Sequence, residues 1–269
     1  MSTILKIEAI LLTVYLLLMS LAFFKQENLI FFPEKLQLNH EFSFEQEFEE
    51  IFVQTTDGIK LHGLLFKTTA PKGLVFYLHG NAGSVNSWGW AYESYTNMGY
   101  DFFILDYRGY GKSEGSISSE GQFYDDVQRA YDQLKNRYNE PEIVIAGYSI
   151  GTAAATKLAS ENNPKLLILQ APYYSLSDLA SNLYPIIPGF LLKYKFETFR
   201  FLDNVKAPVA IFHGDKDEII YHGSADKLKA HLKPADKNII LSGQGHNGMN
   251  ENPDYQRKLD KLINTLNQR

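Results

Sequence analysis

Six short runs of this chain carry almost no polarity: Gly73–His79, Tyr100–Asp106, Glu142–Gly147, Lys165–Gln170, Pro208–His213 and Lys237–Leu241. Runs of this length without polar alternation suit strands covered on both faces, the arrangement of a parallel sheet between helices. Two earlier runs, Glu50–Thr55 and Ile59–Lys67, are joined by Thr56-Asp57-Gly58, a turn tripeptide that predicts an antiparallel hairpin. Between the strands lie helical patterns. Glu120–Tyr138 sets Phe123, Val127, Ala130, Tyr131, Leu134 and Tyr138 on one face at three- and four-residue spacing. Ser149–Glu161, His222–Leu232 and Pro253–Leu266 read the same way. Eight strands in this order predict one α/β domain, mostly parallel, with an antiparallel edge.

The first residues stand apart from that body. Ile4–Phe24 reads ILKIEAILLTVYLLLMSLAFF, charged only at Lys6 and Glu8. As a helix its 21 residues extend about 31 Å, enough for the roughly 30 Å hydrocarbon layer, with both charges at an interface. We expect residues 1–28 to be a single-pass membrane anchor and its flank, and 29–269 to be the folded body. The competing expectation is a secretory or periplasmic signal cleaved near Ser20-Leu21-Ala22. Lys6 and Lys25 flank the span almost symmetrically, so orientation is weakly specified. Because the span ends about 25 residues before the first predicted strand, it is expected to touch no core. Removing residues 1–28 should then leave a soluble, active body.

Composition excludes several classes. The formal net charge is −5, with 26 Lys+Arg against 31 Asp+Glu, whereas a nucleic-acid partner would ask for a basic face. The chain has no Cys, which excludes disulfides, thiolate catalysis, Cys-ligated metals and a lipoprotein anchor. Neither a cofactor nor a metal is expected, since His62, His79, His213 and His222 follow no ligand spacing. They read as turn or surface groups, with His79 and His213 tying down loops. Gly111-Lys112-Ser113 resembles the end of a phosphate-binding loop, but Asp106 stands where the first Gly should be, so a tight turn is the better account. Glu41, Glu45, Glu47, Glu49 and Glu50 read as a solvated segment after the anchor.

The chemistry centres on Gly147-Tyr148-Ser149-Ile150-Gly151, a G-x-S-x-G string set between a strand and an Ala-rich helix. A Ser exposed at so sharp a turn needs small neighbours, and the helix N-terminus behind it offers free N–H groups to a developing oxyanion. The string alone is weak, arising by chance in about one chain of this length in ten at average Gly usage. Its setting carries the weight. His213-Gly214-Asp215-Lys216-Asp217 and Gly245-His246-Asn247-Gly248 each follow a later strand, at the sheet end where open parallel sheets hold ligands.

With His79-Gly80-Asn81-Ala82-Gly83 and Asp106-Tyr107-Arg108-Gly109-Tyr110-Gly111-Lys112-Ser113, these pieces span residues 50–250 and resemble the α/β-hydrolase superfamily. The resemblance is to its membrane-anchored branch near monoacylglycerol lipases, lysophospholipases and serine aminopeptidase-like proteins. It implies an eight-stranded, mostly parallel sheet flanked by helices, with a short cap, preceded here by one hydrophobic helix. It also implies Ser149 as nucleophile, His246 as general base and acid, and Asp217 as the orienting carboxylate, with Asp215 the competing acid. The oxyanion donors would be the main-chain N–H groups of Ile150 and Asn81; Ala82 is an alternative donor, and Asn81 can also be read as a plain turn residue. The implied cap is Ala171–Val205, which holds eight aromatics. They can form an apolar lid for acyl chains, or simply pack the cap on the body. The filled triad favours a serine hydrolase of a lipid-like ester or thioester through an acyl-enzyme. A serine peptidase and a non-catalytic binding protein of the same fold are the alternatives.

Overall fold

The computed structural model describes residues 2–267. All eight expected strands form: β1 (Phe48–Gln54), β2 (Lys60–Phe66), β3 (Leu74–Leu78), β4 (Asp101–Asp106), β5 (Ile143–Tyr148), β6 (Leu166–Gln170), β7 (Val209–Gly214) and β8 (Lys237–Leu241). They make one sheet in the order β8-β7-β6-β5-β3-β4-β2-β1. Strand β2 runs antiparallel to both its neighbours, and every other pairing in the sheet is parallel. The hairpin turn uses Gly58 at φ +86°, with Arg108 bridging Asp57 at 2.7 Å and the buried Asp126.

The absence of polar alternation has the expected cause. Along β3, Leu74, Phe76 and Leu78 enter one core cluster while Val75 and Tyr77 enter the other. The first core lies under the helices Glu120–Lys135 and Gly151–Glu161; the second is closed by Tyr95 and the C-terminal helix Pro253–Asn267 through Tyr255, Leu259 and Ile263. Each such Leu, Ile or Phe gains about 1.5–3 kcal/mol on burial, so a polar residue on either face would be costly.

Three expectations need correction. His62 is neither a turn nor a surface group: it sits in β2, fully buried, 3.2 Å from Asp106 and 3.0 Å from Glu50. Glu49 and Glu50 belong to strand β1 rather than to a solvated segment. Glu50 takes the buried Lys112 at 2.6 Å, and Glu49, bridged by Arg137 and Lys67, is held down at about 2. The Gly111-Lys112-Ser113 turn is therefore an internal tie, with the Ser113 hydroxyl donating to the Asp106 carbonyl at 2.7 Å. A third correction concerns the division at residue 28, which cuts through a short helix, Gln26–Ile30, that follows the apolar helix α1 (Thr3–Phe24). Helix α1 has the length and composition to cross a membrane, and none of its residues is buried.

Candidate active site

Strand β5 delivers the chain into the turn that exposes Ser149. A Cβ on Gly147 would stand 2.6 Å from the Gly151 carbonyl oxygen, and one on Gly151 would strike the Leu78 carbonyl oxygen. Only glycine fits at either place, so the chain turns directly from strand to helix and holds Ser149 at φ +51°. The Ser149 N–H donates to the Gln170 carbonyl at 2.9 Å, and its carbonyl accepts from the Thr152 hydroxyl at 2.6 Å. The side-chain hydroxyl is left for other work.

That hydroxyl lies 3.1 Å from Nε2 of His246, whose Nδ1 lies 2.8 Å from Oδ2 of Asp217. The two residues come from the loops after β8 and β7. The N–H groups of Ile219 and Ile220 donate to Oδ1 of Asp217 at 3.0 and 2.8 Å, which fixes the carboxylate. Burial would raise the pKa of Asp217, but its bonds to His246 and to these N–H groups outweigh that and hold it below the usual carboxylate range. An ionised Asp217 places the imidazole proton on Nδ1, so Nε2 is free to accept from Ser149. Asp215 points elsewhere: it is exposed and accepts the Gly243 N–H at 2.7 Å.

The His246 loop is fastened by residues that sequence reasoning passed over. The Tyr148 hydroxyl donates to the His246 carbonyl, and its ring meets Trp88 edge-on at 5.1 Å. The Gln244 amide donates to the carbonyls of Gly245 and Asn247, at 3.0 and 2.7 Å. A bulky residue in the second place of G-x-S-x-G was the available signal. His79 and His213 work beneath the site, bonding the carbonyls of Gly80 at 2.7 Å and Ile220 at 2.9 Å. Burial pushes both imidazoles down, so they stay neutral.

Strands β3 and β5 are neighbours, with Leu78 opposite Gly147, and this brings the loop after β3 against the Ser149 turn. Neither the Asn81 nor the Ile150 N–H has a turn or loop carbonyl as partner among the described residues. The Asn81 carbonyl is fixed by the Phe32 N–H at 2.9 Å and the Tyr110 hydroxyl at 2.7 Å, and its amide donates to the Ile30 carbonyl at 3.2 Å. Ala82 instead belongs to a two-residue strand, pairing with Phe32.

Above Ser149 opens a cavity of about 430 Å³, lined by Trp88, Tyr173, Leu176, Leu179, Leu183 and Ile219 among others. The aromatics of Ala171–Val205 largely do not line it. Tyr194 and Phe196 are buried against Phe31 and Phe123, while Tyr174 stacks on Phe199 at 4.3 Å. They pack the segment on the body, and the leucines of helix Leu176–Leu183 supply the apolar wall.

The helix Gln26–Ile30 clamps this same segment. Gln26, 5% exposed, donates to the Leu191 carbonyl at 3.0 Å and accepts from the Lys193 N–H at 2.7 Å, while Glu27 takes the Lys193 ammonium and the Tyr194 hydroxyl, each at 3.1 Å. The residues just after the span therefore contact the body, which the expectation for the span Ile4–Phe24 did not cover. Four hydrogen bonds at about 0.5–1.5 kcal/mol each are at stake. A chain lacking residues 1–28 should accordingly melt several degrees below one lacking residues 1–24, at about 2–4 °C per kcal/mol for a body of this size. Differential scanning calorimetry checks this; equal melting temperatures would mean that the clamp adds nothing.

The family described as serine aminopeptidase, S33, matches residues 69–200. Protein YfhR of Salmonella typhimurium is 30% identical over 224 residues, covering 74% of this chain and 75% of that protein. The alpha/beta hydrolase domain-containing protein 17C of Xenopus tropicalis is 30% identical over 222 residues, covering 80% and 69%. Among solved structures, a Pyrococcus furiosus esterase superposes with a TM-score of 0.69 at 18% identity, covering 87% of this chain and 98% of the esterase. The eight-stranded sheet, the segment inserted after β6 and these similarities lead to one conclusion: the chain belongs to the α/β-hydrolases.

Proposed function

We propose that the protein is a membrane-anchored serine hydrolase that cleaves a carboxylic ester or thioester of a lipid-like substrate. The observation that carries this is the continuous line Asp217–His246–Ser149 with spacings of 2.8 and 3.1 Å. Ser149 Oγ attacks the acyl carbon and passes its proton to Nε2 of His246, while the carbonyl oxygen becomes an oxyanion between the N–H groups of Ile150 and Asn81. Collapse breaks the bond to the leaving alcohol or thiol, which takes the proton from His246 and departs, leaving an acyl-Ser149 ester. Water then attacks that ester, gives a proton to His246, and the proton returns to Ser149 as the acid leaves. Asp217 keeps the imidazole oriented and its positive charge stabilised throughout.

The lining of the cavity supports an acyl group over a peptide. An aminopeptidase must hold an α-ammonium, and the residues lining this cavity include Leu, Ile, Tyr and Trp but no carboxylate among the described residues. Helix α1 is retained as the anchor in this reading, since Tyr15 bonds the Ile186 carbonyl at 3.0 Å and the next helix clamps the segment 171–205, which acts as the cap. Titration with a fluorophosphonate tests the proposal: one equivalent should attach to the peptide bearing Ser149. Attachment elsewhere, or none with a folded protein, overturns it.

A further inference from the structure

Between the end of helix α1 and the cap runs a second apolar space of about 170 Å³, with Met19, Phe23 and Leu29 on one wall and Ala180, Leu183 and Leu191 on the other. It does not end blindly. Leu29, Ile30, Leu176, Leu179 and Leu183 line both this groove and the cavity above Ser149. The polar Gln26 in its wall has its amide committed to Leu191 and Lys193.

The groove also opens at a particular height. Tyr15 bonds the cap at Ile186, nine residues before Phe24, which is about 14 Å along the helix axis. The cap tip therefore lies beside the spanning helix rather than above its end. Its side chains match that position: Ile186 is 72% exposed and Phe190 83% exposed, next to a helix none of whose residues is buried. Such surface is costly in water and favourable in hydrocarbon.

We infer that the long acyl chain of a bilayer-resident ester reaches Ser149 sideways, through the groove between helix α1 and the cap, without leaving the membrane. This rests on the serine-hydrolase reading above and adds the route and the substrate class, a membrane amphiphile with a long chain. The chain lies along the leucine and phenylalanine walls, its carbonyl carbon arrives beside Ser149, and its polar leaving group stays on the aqueous side.

The test uses the full chain in phosphatidylcholine vesicles with two fluorogenic umbelliferyl esters, the water-soluble acetate and the bilayer-partitioned palmitate. Ala180→Trp fills the groove from the cap side and Ala22→Trp fills it from the anchor side; neither residue lines the cavity above Ser149. Both variants should lose at least about tenfold in kcat/KM on the palmitate while staying within about twofold on the acetate, with fluorophosphonate labelling unchanged. Should Ala180→Trp disturb the cap, acetate hydrolysis reports it and Ala22→Trp, on an exposed helix, decides. Equal changes on the two esters overturn the route and leave the groove to bulk lipid. Failure of the serine-hydrolase reading is distinct: the unmodified chain would then neither label at Ser149 nor cleave the acetate.

Discussion

Ser149→Ala is expected to lower kcat/KM on a short-chain ester by about 10⁴–10⁶-fold, or roughly 5–8 kcal/mol of transition-state stabilisation. Alanine removes the attacking oxygen and little else. The main chain at 149 is held by bonds of its N–H to Gln170 and of its carbonyl to Thr152, and the glycines at 147 and 151 set the turn. The variant should therefore fold, bind substrate and fail at the first bond-making step. A residual rate well above that of buffer is still expected, because the Asn81 and Ile150 N–H groups can polarise a carbonyl towards attack by water. Steady-state kinetics with circular dichroism as the folding control measures this. A loss below about tenfold would remove Ser149 from the chemistry.

Asp217→Asn is expected to cost about 10⁴-fold in kcat. An amide at that place can donate as well as accept, so the imidazole is no longer forced to keep its proton on Nδ1, and the charge that stabilises the imidazolium is gone. Asp215→Asn is the control. Its carboxylate accepts the exposed Gly243 N–H, a bond that an Asn oxygen can also accept, so activity should stay within about threefold. The ratio of the two losses is the measurement. Equal losses, or a loss confined to position 215, would displace Asp217 from its assigned place.

The parts legible in the sequence are those where one physical requirement fills several consecutive residues. The inner parallel strands of the sheet are buried on both faces, so runs such as Leu166–Gln170 announce themselves without alternation. Ser149 is legible because a strand, two glycines and an Ala-rich helix frame it, and Asp217 and His246 because each follows a strand end. The parts that escape are short or borrowed. Helical turns over 85–96 are too brief to show a period. Gln26–Ile30 reads as the tail of the apolar span, since its purchase on Lys193 and Tyr194 lies about 165 residues away in sequence. His62 looks like a surface residue because its partners Glu50 and Asp106 sit on other strands. The aromatics of Ala171–Val205 leave two readings open for a related reason: composition reports that a segment is greasy, not which way it faces.

The dihedral at Ser149 carries a consequence for how this protein can evolve. A non-glycine residue in the left-handed region costs about 1–2 kcal/mol, and Ser149 shares that region with only Ala171 and Phe196 among the described non-glycine residues. Glycine would relieve the strain but would remove the hydroxyl; Asn and Asp tolerate the conformation but bring different chemistry. Under the role proposed for Ser149, mutational drift towards greater stability at this position thus runs against retention of activity. Compensation must come from elsewhere in the sheet, where a change can add stability without touching the turn.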